Sequence, residues 1–165
     1  MQIRAMSAFV PHVDGHPNRV PFEGILAKID APSNRAPCGA RGHRVILTRQ
    51  AAEKALPSLL GMAIDYKPEW DGHDTRSKIG ILTEADIVDR MLCVQGFIYA
   101  RDFPDVTASM RRHLKGTMGM SYEVSDAKVS DIRAAVWTLT KVTFTGAAIL
   151  LRGKAAYSDT IFKLK

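Results

Sequence analysis

Apolar and polar positions along this chain alternate with the period of strands more often than helices. Over residues 20–29, Phe22, Gly24 and Leu26 alternate with Glu23, Ile25 and Ala27, which predicts a first strand. Residues 44–47 predict a short strand. Thr48 then caps a helix over 49–60, with Gly61 as its stop and Pro57 set to kink it or end it early. Residues 62–66 predict a buried strand. Residues 78–86 and 90–100 predict two more, joined at Val88-Asp89, with the loose alternation of curved, partly buried strands. Asp102-Phe103-Pro104-Asp105 opens a second helix that runs to about Lys115 and stops at Gly116. Its apolar positions Val106, Met110 and Leu114 recur every fourth residue and form one packing stripe.

Residues 118–124 predict a strand with Met120, Tyr122 and Val124 on one face and Ser121 and Glu123 on the other. A polar connection follows over 125–133. Residues 135–145, rich in Val, Thr, Trp and Phe, predict the next strand. Gly146-Ala147-Ala148 permits close packing before Ile149-Leu150-Leu151, a turn at Arg152-Gly153-Lys154, and an edge strand within 155–165. Two stretches read as loops: 30–42, with Pro32, Asn34, Pro37, Gly39 and Gly42, and 67–77, with Pro68, Trp70, Gly72 and His73. No repeat, low-complexity segment or β-α-β rhythm is present. The pattern predicts one α+β domain over 1–165, a mostly antiparallel, barrel-like sheet with a few helices packed outside. Residues 1–18 form an N-terminal segment and 158–165 a tail.

Composition changes this picture little. At 165 residues the chain can build a real core, and its 46% hydrophobic and 24% charged content is that of an ordinary globular protein. The net charge of +6 raises the question of nucleic acid. The basic residues are scattered among acidic ones, with no basic cluster interleaved with aromatics, so nucleic-acid binding is not expected. Cys38 and Cys93 make neither a disulfide framework nor a C-x-x-C pair. No signal-peptide core and no run of ~20 apolar residues appears, so neither secretion nor a membrane partner is expected and a reducing cytoplasm fits.

Few residues carry candidate chemistry. Ser121 sits on a strand beside Gly119, and His73 sits in the polar loop Asp71-Gly72-His73-Asp74 just before the strand containing Ile79-Gly80. A serine hydroxyl is a poor nucleophile unless a neutral imidazole takes its proton, so the two could serve as nucleophile and base. Taken alone, Ser121 reads more simply as a solvent-facing strand hydroxyl. His12 and His16 lie four apart, but Pro11 and Pro17 bracket them, and they read as surface groups. His113 falls in the basic last turn of the second helix and reads as a capping group. Trp70 and Trp137 read as core or rim aromatics. His73 with Asp65, Asp71 and Asp74 could bind a divalent metal, but one histidine with loop aspartates is poor zinc spacing, so neither metal nor cofactor is expected.

The order of these pieces is a histidine loop before Ile79-Gly80, a helix, Gly119-Met120-Ser121-Tyr122-Glu123, and then Leu139-Thr140-Lys141-Val142-Thr143-Phe144. It resembles the prohead, or capsid maturation, proteases of tailed bacteriophages, whose fold is shared with the herpesvirus assemblins. The resemblance spans roughly residues 22–157. It implies a serine endopeptidase, with Ser121 as nucleophile and His73 as general base, that cleaves scaffold and major capsid protein, and often itself. Its place would be inside the immature prohead in the host cytoplasm, as a homo-oligomer. The family's third catalytic group, an acid or a histidine, falls at the strand position that Lys141 occupies here. A charged lysine cannot accept the imidazole N–H. Three options stay open: Asp71, Asp74 or Glu123 orients His73; the pair works as a dyad; or a buried Lys141 with lowered pKa helps deprotonate the serine. A register shifted by a residue or two would put Thr140 or Thr143 there instead. The rival functions are a non-catalytic phage assembly or scaffold protein that keeps the protease fold, and a nucleic-acid-binding accessory protein.

Overall fold

The computed structural model describes residues 6–113 and 116–165. In chain order the elements are β1 (Met6–Ser7), β2 (Arg19–Lys28), β3 (Arg44–Leu47), α1 (Arg49–Ala55), β4 (Ala63–Tyr66), β5 (Lys78–Val88), β6 (Met91–Tyr99), α2 (Pro104–Arg112), β7 (Met118–Val129), β8 (Val136–Leu151) and β9 (Ile161–Leu164). Thr48 caps α1 as expected, its side chain accepting from the Ala51 N–H. Pro57 ends the α-helix early by converting its last turn to a 3-10 turn, Leu56–Leu59, and Gly61 follows at a positive φ of 79°. Leu114 and Lys115, at the expected end of α2, lie outside the described residues, as do Met1–Ala5. Among the described residues no helix is long and apolar enough to cross a membrane.

The strands form one sheet in the order β3-β8-β4-β5-β6-β2-β9, with β1 added on β5 and β7 on β8. β8, 16 residues long, is its spine. Along one edge it pairs first with β3 (Leu47 opposite Leu139) and then with β4 (Asp65 opposite Ala148), both in parallel; along the other it pairs antiparallel with β7. The sheet is therefore mixed and curled into a half-barrel, where the sequence suggested a mostly antiparallel one. The chain leaves β3 through α1 and leaves β5–β6 through α2, and those crossovers are what allow parallel neighbours.

Two further boundaries differ from expectation. β7 runs on to Val129 through the stretch read as a polar connection, because pairing with β8 holds it despite exposed residues at 125–128. And 136–151 is one strand: Gly146 does not interrupt it, since β7 flanks it at that point.

The core lies inside the curl. Phe22, Leu26, Leu47, Leu59, Ile64, Ile79, Leu82, Leu92, Ile98 and Phe144 are fully buried there, each worth about 1.5–3 kcal/mol. Closure brings β7 over β2, where a Cβ on Gly24 would fall 2.2 Å from the Met120 Sδ. Only a glycine leaves room for that methionine. With Met120, Tyr122 and Phe144 committed to the core, the alternate residues of β7 and β8 point outward, and the candidate site is built on that outer face.

Candidate active site

Ser121 and Glu123 stand on the outer face of β7, two residues apart. Across the sheet, Ser121 lies opposite Ala148 of β8, and Ala148 in turn lies opposite Asp65 of β4; Glu123 lies opposite Gly146. Residues in register point to the same face, so Ser121, Glu123 and Asp65 surround a floor made of Gly146 and Ala148. The floor must be small. A Cβ on Gly146 would sit 2.7 Å from the Glu123 Oε2.

His73 enters from the loop after β4, which is anchored on both sides of it. Before it, Trp70 is buried; its carbonyl accepts from the Leu151 N–H at 2.7 Å, and its indole N–H reaches the Ser109 hydroxyl of α2 at 3.4 Å. After it, the Asp74 N–H donates to the Asp65 Oδ1 at 3.1 Å, and the Asp74 carboxylate accepts from the Ser77 hydroxyl at 3.0 Å. The imidazole Nδ1 then lies 3.1 Å from the Glu123 Oε1 and 3.9 Å from the Asp65 Oδ1. Neither contact has hydrogen-bond alignment, so both carboxylates act on the ring as nearby charge. With Nδ1 turned toward the carboxylates, Nε2 is the ring nitrogen on the side away from them.

Asp65 is completely buried. Burial pushes its carboxyl above the ordinary aspartate range and Glu123 adds to this, while His73, the Asp74 N–H and Lys78 work against it. The Lys78 Nζ is 3.5 Å from the Asp65 Oδ2, which accepts no hydrogen bond among the described residues. Asp65, His73 and Glu123 each offer an atom within 4.8 Å of the others, a spacing that a divalent cation could bridge.

His73, Ser121 and Glu123 open onto one cavity of about 1030 Å³. Its far wall is the loop before β3, including Arg41, and its apolar end holds Ile132 and Trp137. The His43 and Trp137 rings stack there, 4.4 Å between centroids and 12° from parallel, a pairing the sequence did not suggest. Both stretches read as loops border the cavity, the first through 35–41 and the second through 71–73.

Of the three residues expected to carry chemistry, the fold brings Ser121 and His73 to this cavity and leaves Lys141 outside it. Lys141 is exposed and pairs with Lys128, seven positions along β8 from Ala148, roughly 20 Å away at strand spacing. At that separation Lys141 does not reach the Ser121 hydroxyl. Thr140 and Thr143 lie in the same distal part of the strand, opposite the 125–128 stretch of β7. Among the acids weighed from the sequence, Asp71 pairs with Lys67 at 3.0 Å and Asp74 with Arg76 at 3.2 Å. Glu123 is the one against the imidazole. Asp65, suggested only as a metal ligand, joins it there. Its signal in the sequence was an acid inside a strand that otherwise reads as buried.

No family profile matches the sequence, and no curated protein does. The structure is similar to that of the bacteriophage T4 capsid assembly protease, with a TM-score of 0.55 over 89% of this chain and 91% of that one, at 13% sequence identity. The chain has the fold of the phage prohead proteases.

Proposed function

We propose that this protein is a serine endopeptidase of phage capsid maturation. Ser121 is the nucleophile, His73 the general base, and Glu123 the carboxylate that supports the base. The observation that carries this reading is the meeting of Ser121, His73 and Glu123 at one cavity of a capsid-protease fold. The Ser121 hydroxyl attacks the scissile carbonyl while the His73 Nε2 takes its proton. Glu123 stabilises the imidazolium so formed, and His73 then returns the proton to the departing amine. The cavity is lined on one side by the 30–42 loop and on another by β7, and a peptide substrate would lie between them. The resemblance to the prohead proteases implies as substrates the scaffold and major capsid proteins of an immature prohead, with self-cleavage and self-association as part of the same process.

The test is incubation of the purified chain with the scaffold and major capsid proteins of its own phage, read on a gel over time. Wild type should cleave and Ser121→Ala should not, with unfolding free energy changed by less than about 1 kcal/mol, since no buried partner is orphaned. Equal cleavage by both ends the serine-protease reading. Cleavage by neither puts the non-catalytic assembly protein in its place.

A further inference from the structure

We infer that Asp65 is a second positioning residue of the His73 base, its buried carboxylate supporting from β4 the charge that Glu123 supports from β7. The inference rests on the reading of Ser121 and His73 given above. A fully buried carboxylate is a costly thing to keep, and it is kept where a cation or donors compensate it. Asp65 has three such neighbours: the Asp74 N–H at 3.1 Å, the Lys78 Nζ at 3.5 Å and the His73 Nδ1 at 3.9 Å. The first alone would be met as well by an asparagine. Lys78 is more than a third exposed, so water screens its charge. The imidazole is the compensating group that lies inside the site, and it becomes a cation at the moment Ser121 gives up its proton. A carboxylate placed without good alternatives therefore stabilises that imidazolium.

The surroundings leave this pairing clear. Glu123 faces His73 from β7 and Lys78 faces Asp65 from β5. Within the loop, Asp71 and Asp74 are drawn off by Lys67 and Arg76. From α2, His113 reaches only the edge of the Trp70 ring, 6.0 Å between centroids. Asp65 also shares its row with Ser121 through Ala148, so β4, β8 and β7 fix base support and nucleophile on one rigid surface.

The experiment is Asp65→Asn in the full chain, with two readouts. In the first, turnover of a scaffold-derived peptide should fall by about tenfold or more with KM little changed. The acid limb of kcat/KM should also move to lower pH by about one unit, because an imidazolium that loses an anionic neighbour gives up its proton more readily. In the second, the His73 ring is titrated by NMR in Ser121→Ala protein, its signal identified by comparison with His73→Gln. It should move the same way when Asp65→Asn is added. A purely structural Asp65 would lower stability and turnover together and leave both titrations in place, which overturns the proposal. Should Asp65→Asn not fold, Lys78→Met replaces it: with the competing cation gone the ring should titrate at higher pH, and an unmoved ring is again a refutation. A wild type that cleaves nothing defeats the protease reading, and the ring titration then decides the Asp65–His73 coupling by itself.

Discussion

Replacing Gly146 by alanine should damage the chemistry while sparing the fold. Its Cβ would lie 2.7 Å from the Glu123 Oε2 and 3.5 Å from the Ala63 carbonyl. The second distance is ordinary contact. The first is short by about 0.6 Å against the ~3.3 Å at which carbon and oxygen normally meet. The atom that must yield is the end of a flexible side chain, so the carboxylate swings and the strands stay. Gly146 is also not among the positive-φ glycines, so alanine fits the backbone without strain. Losing a glycine there should stabilise by about 0.4–1 kcal/mol through the unfolded chain, which raises Tm by roughly 1–4 °C at this size. The displaced carboxylate leaves His73 without its neighbour at 3.1 Å. Misplacing a supporting group by a fraction of an ångström to 1 Å costs on the order of 10- to 100-fold in turnover. The assay is steady-state cleavage of a scaffold-derived peptide beside a thermal melt, with Glu123→Ala and the double variant completing a cycle. In the Glu123→Ala background the added methyl should cost nothing further. Wild-type turnover by Gly146→Ala, or full additivity of the two changes, would refute the role given to Glu123.

Two other outcomes follow from the same geometry. Lys141→Ala should leave the cleavage rate within about a few-fold, since Lys141 is exposed beside Lys128 and outside the cavity; a loss of about 100-fold in the same peptide assay would return Lys141 to the catalytic set. Asp65 should also make stability depend on pH. Its folded-state pKa is raised by burial, so its protonated form favours folding; that contribution is complete below the unfolded value of about 3.9 and is lost as pH rises through the raised folded value. Relative to Asp65→Asn, the wild type should lose unfolding free energy as pH climbs through that window and run parallel to it above, and a pH-independent difference in urea titrations would contradict this.

The strands that could be read from the sequence are those whose burial pattern is set within the strand itself. β2, β3 and β4 alternate or run apolar because each has a face on the core, and their bounds fall within about two residues of expectation. The far half of β7 carries no such signature: Ser125, Asp126, Ala127 and Lys128 are all exposed, and only β8 makes them a strand. The parallel pairings were invisible for a related reason, since nothing near Arg44–Leu47 or Ala63–Tyr66 records that both will lie along one edge of β8.

The site divides along the same line. The outward parity of Ser121 and Glu123 follows from alternation, and the polar loop around His73 follows from its composition. Glu123 stood among the acids weighed for the third group, but setting it apart from Asp71 and Asp74 required the fold, which puts it against the imidazole. Counting along β8 by resemblance alone pointed to Lys141, whereas pairing sets Ala148 beside Ser121 and Gly146 beside Glu123. Those two residues look in the sequence like packing spacers, and in the fold they form the floor between Ser121, Glu123 and Asp65. A larger side chain at Gly146 would occupy the space where the Glu123 carboxylate lies. At Ala148, set between Ser121 and Asp65 in one row, it would rise between the serine and the buried acid. With β8 supplying no functional group at that height, the acids must come from its neighbours, Glu123 from β7 and Asp65 from β4. A search for an acid on the strand after the serine therefore finds none, although the imidazole has two beside it.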